Sequence, residues 1–411
     1  MNIMNIYTGK NILKMIKLNK SLPSFCTSNM DVLKSVIIFA KLNNLPLLIE
    51  STSNQVNQFG GYSLLNSNQF FKKIHLLASK LKYKKKNLYI GADHLGPLPW
   101  KDLKNKIAIQ NSIRLFRDAV KAGYSKIHID TGIELKEDKN LLKKTIIERC
   151  SLIFNSVDKK KLKKIIFVFG TEVPTAGGTK VYESKNTSLI SIKDDYKNYK
   201  KLINDFSLVI EPGLGFTNKK IHKLKMNFFK KKKQISLVNK FSYEAHSSDY
   251  QSLDSLKKLI NNNFKFLKVG PELTYYYMRA VMMIEKIEKN NYLRNLSNIK
   301  NIISKEMDNN KKDWNNYYFG SSNTVEFLKF NSYLDRSRYY WSKKNVKKSL
   351  LKLKKNINLI DKSIIFDNLS IFKNKFKLKN KLNLNNFDFI IYCYLNGSFE
   401  KYYKACKFSL K

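Results

Sequence analysis

The residues best placed for chemistry are an adjacent acid and imidazole, Asp93-His94, in the stretch GADHLGPLPW at 91–100. They end a short apolar run, and the glycine and prolines that follow keep a helix from starting at once. A carboxylate beside an imidazole at such a tip can serve a metal, with the acid moving a proton, or can be a hydrogen-bonded pair that closes a strand. The chain has five histidines; His94, His128 and His246 fall at the ends of apolar runs, whereas His75 and His222 lie in helix-period segments. Two imidazoles and a carboxylate suit Zn²⁺, which takes nitrogen and oxygen ligands and keeps a position open for substrate. Such an ion can polarise a ketose carbonyl and stabilise the enediolate left when a carbon–carbon bond breaks. His94 and His246 are therefore the candidate metal ligands and Asp93 the candidate acid–base residue. His128, one residue short of its tip, is expected to point into the strand wall and to be hydrogen-bonded there.

Other polar groups collect at comparable tips. Asn54 and Gln55 close Glu50-Ser-Thr-Ser-Asn-Gln55, Glu172 opens a loop containing Gly177-Gly178, Glu211 precedes Pro212-Gly213, Ser247 follows His246, and Lys268 precedes Gly270. The glycine pairs at 60–61 and 177–178 would let backbone N–H groups approach a phosphate, and are equally ordinary turn punctuation. The apolar runs that carry these tips lie at 24–28, 47–51, 88–93, 127–130, 165–170, 208–211, 241–246 and 264–270. Between them stand helix-period segments at 30–44, 68–84, 107–122, 141–157, 194–204, 219–233, 252–262 and 272–288. Strict alternation argues for parallel strands joined by crossover helices, and the number of units predicts an α/β fold, a (β/α)₈ TIM barrel. Active sites of such barrels form at the C-terminal strand ends, where these tips fall. An open doubly wound sheet loses its main support because no GxGxxG follows the first run. The pattern changes near 290 to a Lys-, Asn-, Tyr- and Leu-rich stretch, so the expected division is a barrel over 1–289 and a helical C-terminal extension over 290–411.

The formal charge of +45, from 77 Lys and Arg against 32 Asp and Glu, does not by itself indicate nucleic acid. Lysine is spread along the whole chain rather than clustered with aromatic or glycine residues, so solvated helix faces are expected and no nucleic-acid partner. Such a surface would still draw in anionic substrates. No run approaches the roughly 18 apolar residues of a membrane span, so no membrane partner is expected. The N-terminal MNIMNIYTGKNILKMIKLNK lacks the apolar core of a secretory signal. Cys26, Cys150, Cys393 and Cys406 show no paired metal spacing. A cytoplasmic location is expected.

Taken in collinear order, ESTSNQVNQFGGYS, GADHLGP, GYSKIHID, GTEVPTAGG, YEAHSSDYQ, LKVGPELT and DRSRYYW (335–341) resemble the Z-type subunit of D-tagatose-1,6-bisphosphate aldolase, the GatZ/KbaZ family. The resemblance implies a barrel related to the zinc-dependent class II ketose-bisphosphate aldolases. It also implies a non-catalytic partner that supports the activity and stability of a separate Y-type catalytic subunit in galactitol or N-acetylgalactosamine catabolism. Members have also been called tagatose-6-phosphate kinases, but no P-loop is present to support phosphoryl transfer. Residue by residue, Asp93 and His94 resemble the proton-handling Asp and zinc-binding His, Glu172 the Glu of an EAELG-like motif, and His246 a second zinc ligand. Where catalytic relatives carry a third ligand, a His before Gly, this chain has Glu211-Pro-Gly213, which makes Glu211 a candidate oxygen ligand. The phosphate-holding Gly-Gly-Ser is replaced by Ser247-Ser-Asp249. Candidate contacts to a ketose phosphate are Asn54, Gln55, Gly177, Gly178, Ser247 and Lys268. Arg336 and Arg338 could meet an anion or a partner chain, but are expected to lock the extension onto the barrel. An oligomer is expected, and the alternative function is a self-sufficient metal-dependent aldolase or epimerase acting on a ketose or its phosphate.

Overall fold

Runs of apolar residues buried on both faces form the strands, as parallel β-structure requires. The structure is a computed structural model and describes residues 20–170, 187–224, 242–291 and 295–410. Strands β1 (Leu22–Cys26), β2 (Leu47–Thr52), β3 (Leu88–Leu95), β4 (Lys126–Ile129), β5 (Ile166–Phe169), β6 (Phe206–Val209), β7 (Ser242–Ala245) and β8 (Phe264–Val269) pair in parallel. The ring closes where β1 meets β8 through Leu22↔Phe266 and β2 through Ser24↔Leu48, giving a closed (β/α)₈ barrel.

Local chemistry sets the helices between strands. Met30–Leu42 starts where Asn29 Oδ1 accepts the N–H groups of Asp31 and Val32 at 3.0 and 3.2 Å, and it buries Val32, Leu33, Val36, Ile37 and Phe39 against the barrel. Ser67–Lys80 starts with a capping box in which Asn66 and Gln69 exchange side-chain to backbone bonds at 2.9 and 3.0 Å. Asn105–Ala122 ends on Gly123, whose φ of 92° suits a residue without Cβ.

Two expected elements differ. The expected helix 219–233 begins instead as an antiparallel pair, Gly215–Phe216 with Ile221–His222, joined through Asn218-Lys-Lys220, and residues 225–233 lie outside the described residues. The expected helix 194–204 starts earlier, at Leu189, because Ser188 caps it through Ser191 N–H.

The helix Pro271–Asn291 runs across residue 290, and the chain beyond is helical in Ile299–Asn309, Ser322–Asn331, Lys344–Leu359 and Asn386–Ala405. The last of these packs on Met30–Leu42, Leu253–Asn261 and Pro271–Asn291. Its Phe399 and Tyr403 rings sit 5.6–5.7 Å from those of Phe25 and Phe39, so the extension shares the core around the barrel.

Period-two alternation sends every second strand residue inward. At the N-terminal end Leu22, Leu48, Tyr89, Ile166 and Phe266 form an apolar plug. One step up, Lys126 Nζ lies 2.6 Å from Glu50 Oε1 and 2.5 Å from Glu244 Oε2, with all three side chains fully buried. Gly91 makes room for this layer, since a Cβ there would come within 2.8 Å of Glu50 Oε1. The next step is the C-terminal mouth. No helix among the described residues is long and apolar enough to cross a membrane. No two of the four cysteines, all buried, form a disulfide.

Candidate active site

The strand-to-loop break after β3 aims the Asp-His pair. His94 adopts φ 47°, a conformation uncommon for a non-glycine residue and enriched at functional sites. Gly96 then passes so close to β4 that a Cβ would lie 1.6 Å from Asp130 O. Asp130 Oδ2 lies 2.8 Å from His94 Nδ1. The other ring nitrogen, His94 Nε2, lies 2.7 Å from Lys268 Nζ. The same ammonium pairs with Asp93 Oδ2.

Asp93 is the hub. Its Oδ1 lies 3.0 Å from His128 Nδ1 and 3.9 Å from His246 Nε2, and its Oδ2 lies 3.5 Å from His94 Nε2. Burial works to raise its pKa, but His94 and Lys268 outweigh burial and hold the carboxyl well below its usual range. Burial lowers the pKa of His128, whose Nε2 donates to Gly170 O at 2.9 Å and whose Nδ1 faces Asp93 Oδ1 and lies 3.3 Å from the His94 amide nitrogen. His246 Nε2 is 2.8 Å from Glu244 Oε1, which links the mouth to the Lys126 layer beneath.

In that layer burial pushes Glu50 up to about 7, whereas Lys126 and His246 outweigh the burial of Glu244 and bring it down to about 2. A carboxyl whose pKa is raised in the fold contributes stability below its unfolded pKa and loses it as pH rises through the folded value. The Glu50 contribution to stability should therefore fall as pH rises from about 4.5 through about 7. Urea unfolding of Glu50→Gln should show that fall reduced by about 1–3 kcal/mol relative to the unsubstituted chain. Asp249, likewise raised to about 7 by burial and by Glu272, should retain part of the slope in the variant.

Asp93, His94, His128 and His246 each offer a ligand atom, and these atoms lie within 4.8 Å of one another. By donor type the set fits a divalent cation, which would supply carbonyl polarisation when bound. Lys268 meets two of the same donors, His94 Nε2 and Asp93 Oδ2, so ammonium and metal compete for them.

The sequence-predicted residues are distributed unevenly around this cluster. Asn54, Gln55, His94, Ser247 and Lys268 line one cavity of about 360 Å³ at the mouth. Gln55 Oε1 is turned back to the N–H of Thr52 at 3.1 Å. Glu211 is not among the four clustered residues; its Oε1 accepts the N–H groups of Gly213 and Leu214 at 2.7 and 2.8 Å and so caps its own Pro-Gly turn. Glu172, Gly177 and Gly178 lie outside the described residues. His128 is hydrogen-bonded as expected of it, but within the cluster rather than apart from it. Sequence reasoning missed Lys126, although the alternation in Lys126-Ile-His-Ile-Asp130 carries the signal of inward side chains. Arg336 and Arg338, expected to lock the extension onto the barrel, pack on Tyr317 and Tyr339 and also line the mouth cavity.

Comparison with known proteins agrees with this geometry. The GatZ subunit of D-tagatose-1,6-bisphosphate aldolase from Escherichia coli O6:H1 is 29% identical over 361 residues, covering 82% of this chain and 85% of that protein. The GatZ subunit from Escherichia coli O1:K1 matches with the same identity and coverage: 29% over 361 residues, 82% and 85%. Among solved structures, a probable tagatose 6 phosphate kinase from Sinorhizobium meliloti 1021 shares the fold with a TM-score of 0.81 at 23% identity, covering 94% of this chain and 100% of that one. Fructose-bisphosphate aldolase from Campylobacter jejuni gives a TM-score of 0.50 at 15% identity, covering 90% and 98%. The profile of one family matches residues 14–407, nearly the whole length. The chain belongs to the GatZ/KbaZ-like family of D-tagatose-1,6-bisphosphate aldolase subunits.

Proposed function

We propose that this chain is a supporting Z-type subunit of a D-tagatose-1,6-bisphosphate aldolase. It assembles with a class II Y-type catalytic subunit in galactitol or N-acetylgalactosamine catabolism, does not cleave the sugar itself, and works in the cytoplasm as part of an oligomer. Family membership supports the subunit role, and one observation carries the non-catalytic part: Lys268 Nζ meets His94 Nε2 at 2.7 Å and pairs with Asp93 Oδ2. An internal ammonium thus satisfies the donors that a metal-dependent aldolase keeps for its ion. Asn54, Gln55, Ser247 and Lys268 would still receive a ketose phosphate at the mouth, with Gly177 and Gly178 proposed as further contacts, and Glu172 as a catalytic candidate like Asp93, on sequence alone. The division into a barrel over 1–289 and an extension over 290–411 stays a proposal on the same footing.

Co-expression with a Y-type subunit tests the assembly. The two chains should co-purify, and the Y-type subunit should lose activity more slowly on warming when this chain is present. Failure to form a complex with a cognate Y-type subunit would remove the proposal.

A second reading, a self-sufficient metal-dependent aldolase or epimerase, is favoured by the mutual distances of Asp93, His94, His128 and His246. It predicts stoichiometric Zn²⁺ in the purified chain, lost in His94→Ala and His246→Ala. A chain that stays metal-free after reconstitution excludes it.

A further inference from the structure

The mouth cavity has one wall that does not come from the barrel. Tyr317, Arg336, Arg338 and Tyr339, all from the C-terminal extension, line it together with the strand tips. Arg336 is 5% exposed; its guanidinium carbon lies over Tyr317, 3.2 Å from the ring centroid, and its Nη1 donates to Tyr339 Oη at 3.1 Å. Its Nε, also buried, has no partner among the described residues. Arg338 donates to the carbonyls of Leu334 and Asp335 and, from Nη2 at 3.2 Å, to the same Tyr339 Oη.

Neither guanidinium has a carboxylate within 4.0 Å among the described residues. The neighbouring Asp335 turns an oxygen to the Ser337 hydroxyl instead. Two adjacent cations without an ion-pair partner among the described residues are costly, because buried charge is stable only when paired, and Asp130 and Asp249 on the barrel side of the cavity lie beyond ion-pair distance. A planar guanidinium with an unused N–H matches the oxygen spacing of a phosphate, and the contact with Tyr317 holds it in place.

We propose that Arg336 and Arg338 form a phosphate-monoester subsite, so that the extension supplies the phosphate grip and the barrel tips meet the sugar. The ligand class is a ketose phosphate, and about 360 Å³ is ample for one. The sugar half of this assignment rests on the function proposed above; the phosphate half rests on the arginines alone.

The test is binding by the purified full-length chain, without a partner subunit, at matched ionic strength. Tagatose 6-phosphate, tagatose and inorganic phosphate are titrated by calorimetry, and the phosphate compounds are also followed by ³¹P line broadening. The unsubstituted chain should bind tagatose 6-phosphate more tightly than phosphate, and tagatose least. Arg336→Gln and Arg338→Gln should each weaken the sugar phosphate about ten-fold or more, as expected for loss of a charged hydrogen-bond pair. Arg117→Gln, a surface control, should change nothing. Arg336→Lys, which keeps the charge and the fold but loses the fork, should fall between. No ³¹P broadening by the unsubstituted chain, or unsubstituted affinity for tagatose 6-phosphate in both Arg336→Gln and Arg338→Gln, would overturn the subsite. Phosphate bound as tightly as tagatose 6-phosphate would overturn the sugar assignment. A chain that binds phosphate yet activates no Y-type subunit would sink the proposed function and leave the subsite standing.

Discussion

Lys126→Met should destabilise the barrel by about 3–5 kcal/mol, the usual cost of stranding a buried charge. Lys126 Nζ is the shared counter-charge of Glu50 Oε1 and Glu244 Oε2 at 2.6 and 2.5 Å, and all three side chains are fully buried. Methionine nearly preserves the volume over the Phe266 ring, so the loss reports charge rather than packing. Two facing carboxylates would then have to bind protons, and the variant should regain stability as pH falls toward 5. Adding Glu50→Gln and Glu244→Gln to Lys126→Met should recover most of the loss, because an uncharged layer strands nothing. Guanidinium unfolding followed by circular dichroism measures both. A loss below about 1 kcal/mol in the single variant would mean that the layer is solvated in solution.

Lys268→Met should have its large effect on metal rather than on the fold. In the unsubstituted chain the ammonium and a divalent cation compete for His94 Nε2 and Asp93 Oδ2. Two unit charges about 4 Å apart interact by about 4 kcal/mol at an effective dielectric near 20, so removing the ammonium should raise divalent-metal affinity by well over about ten-fold. Co²⁺ is a useful probe, since its visible absorption reports imidazole and carboxylate coordination. Lys268→Met should develop that absorption at sub-stoichiometric Co²⁺, and the further change His94→Ala should abolish it. Equal Co²⁺ affinity with and without Lys268 would show that the side chain leaves the site freely.

The barrel was legible because parallel strands, buried on both faces, read as continuous apolar runs, and because each ends in a polar tip. Where side chains inside the barrel are charged, that signal weakens. β4 begins at Lys126, and a lysine reads as a strand boundary unless the alternation through His128 to Asp130 is given more weight than residue type. The start of β1 was displaced from Leu22 because Pro23 is disfavoured in strands. The Lys-rich segment after 219 has helix-like spacing, yet Thr217 and Lys220 close a tight turn through a 2.7 Å backbone bond, which helical periodicity cannot reveal. At the site, residue types identified Asp93, His94 and His246, but could not tell a ligand from a cap. Glu211 before Pro-Gly serves equally as either, and only three-dimensional proximity reveals that its Oε1 accepts the Gly213 and Leu214 amides. Lys268 was visible as a tip residue, whereas its partners, Asp93 and His94, lie far away in sequence.

The most direct measurement is cleavage of D-tagatose 1,6-bisphosphate by this chain alone, by a cognate Y-type subunit alone and by the two together, with zinc counted in each sample. A supporting subunit with an internal cation predicts no cleavage and no stoichiometric zinc in this chain. It also predicts faster or longer-lived cleavage by the pair than by the Y-type subunit, with zinc matching the Y-type content. Zinc-dependent cleavage by this chain alone, at a rate comparable with the pair, would contradict it.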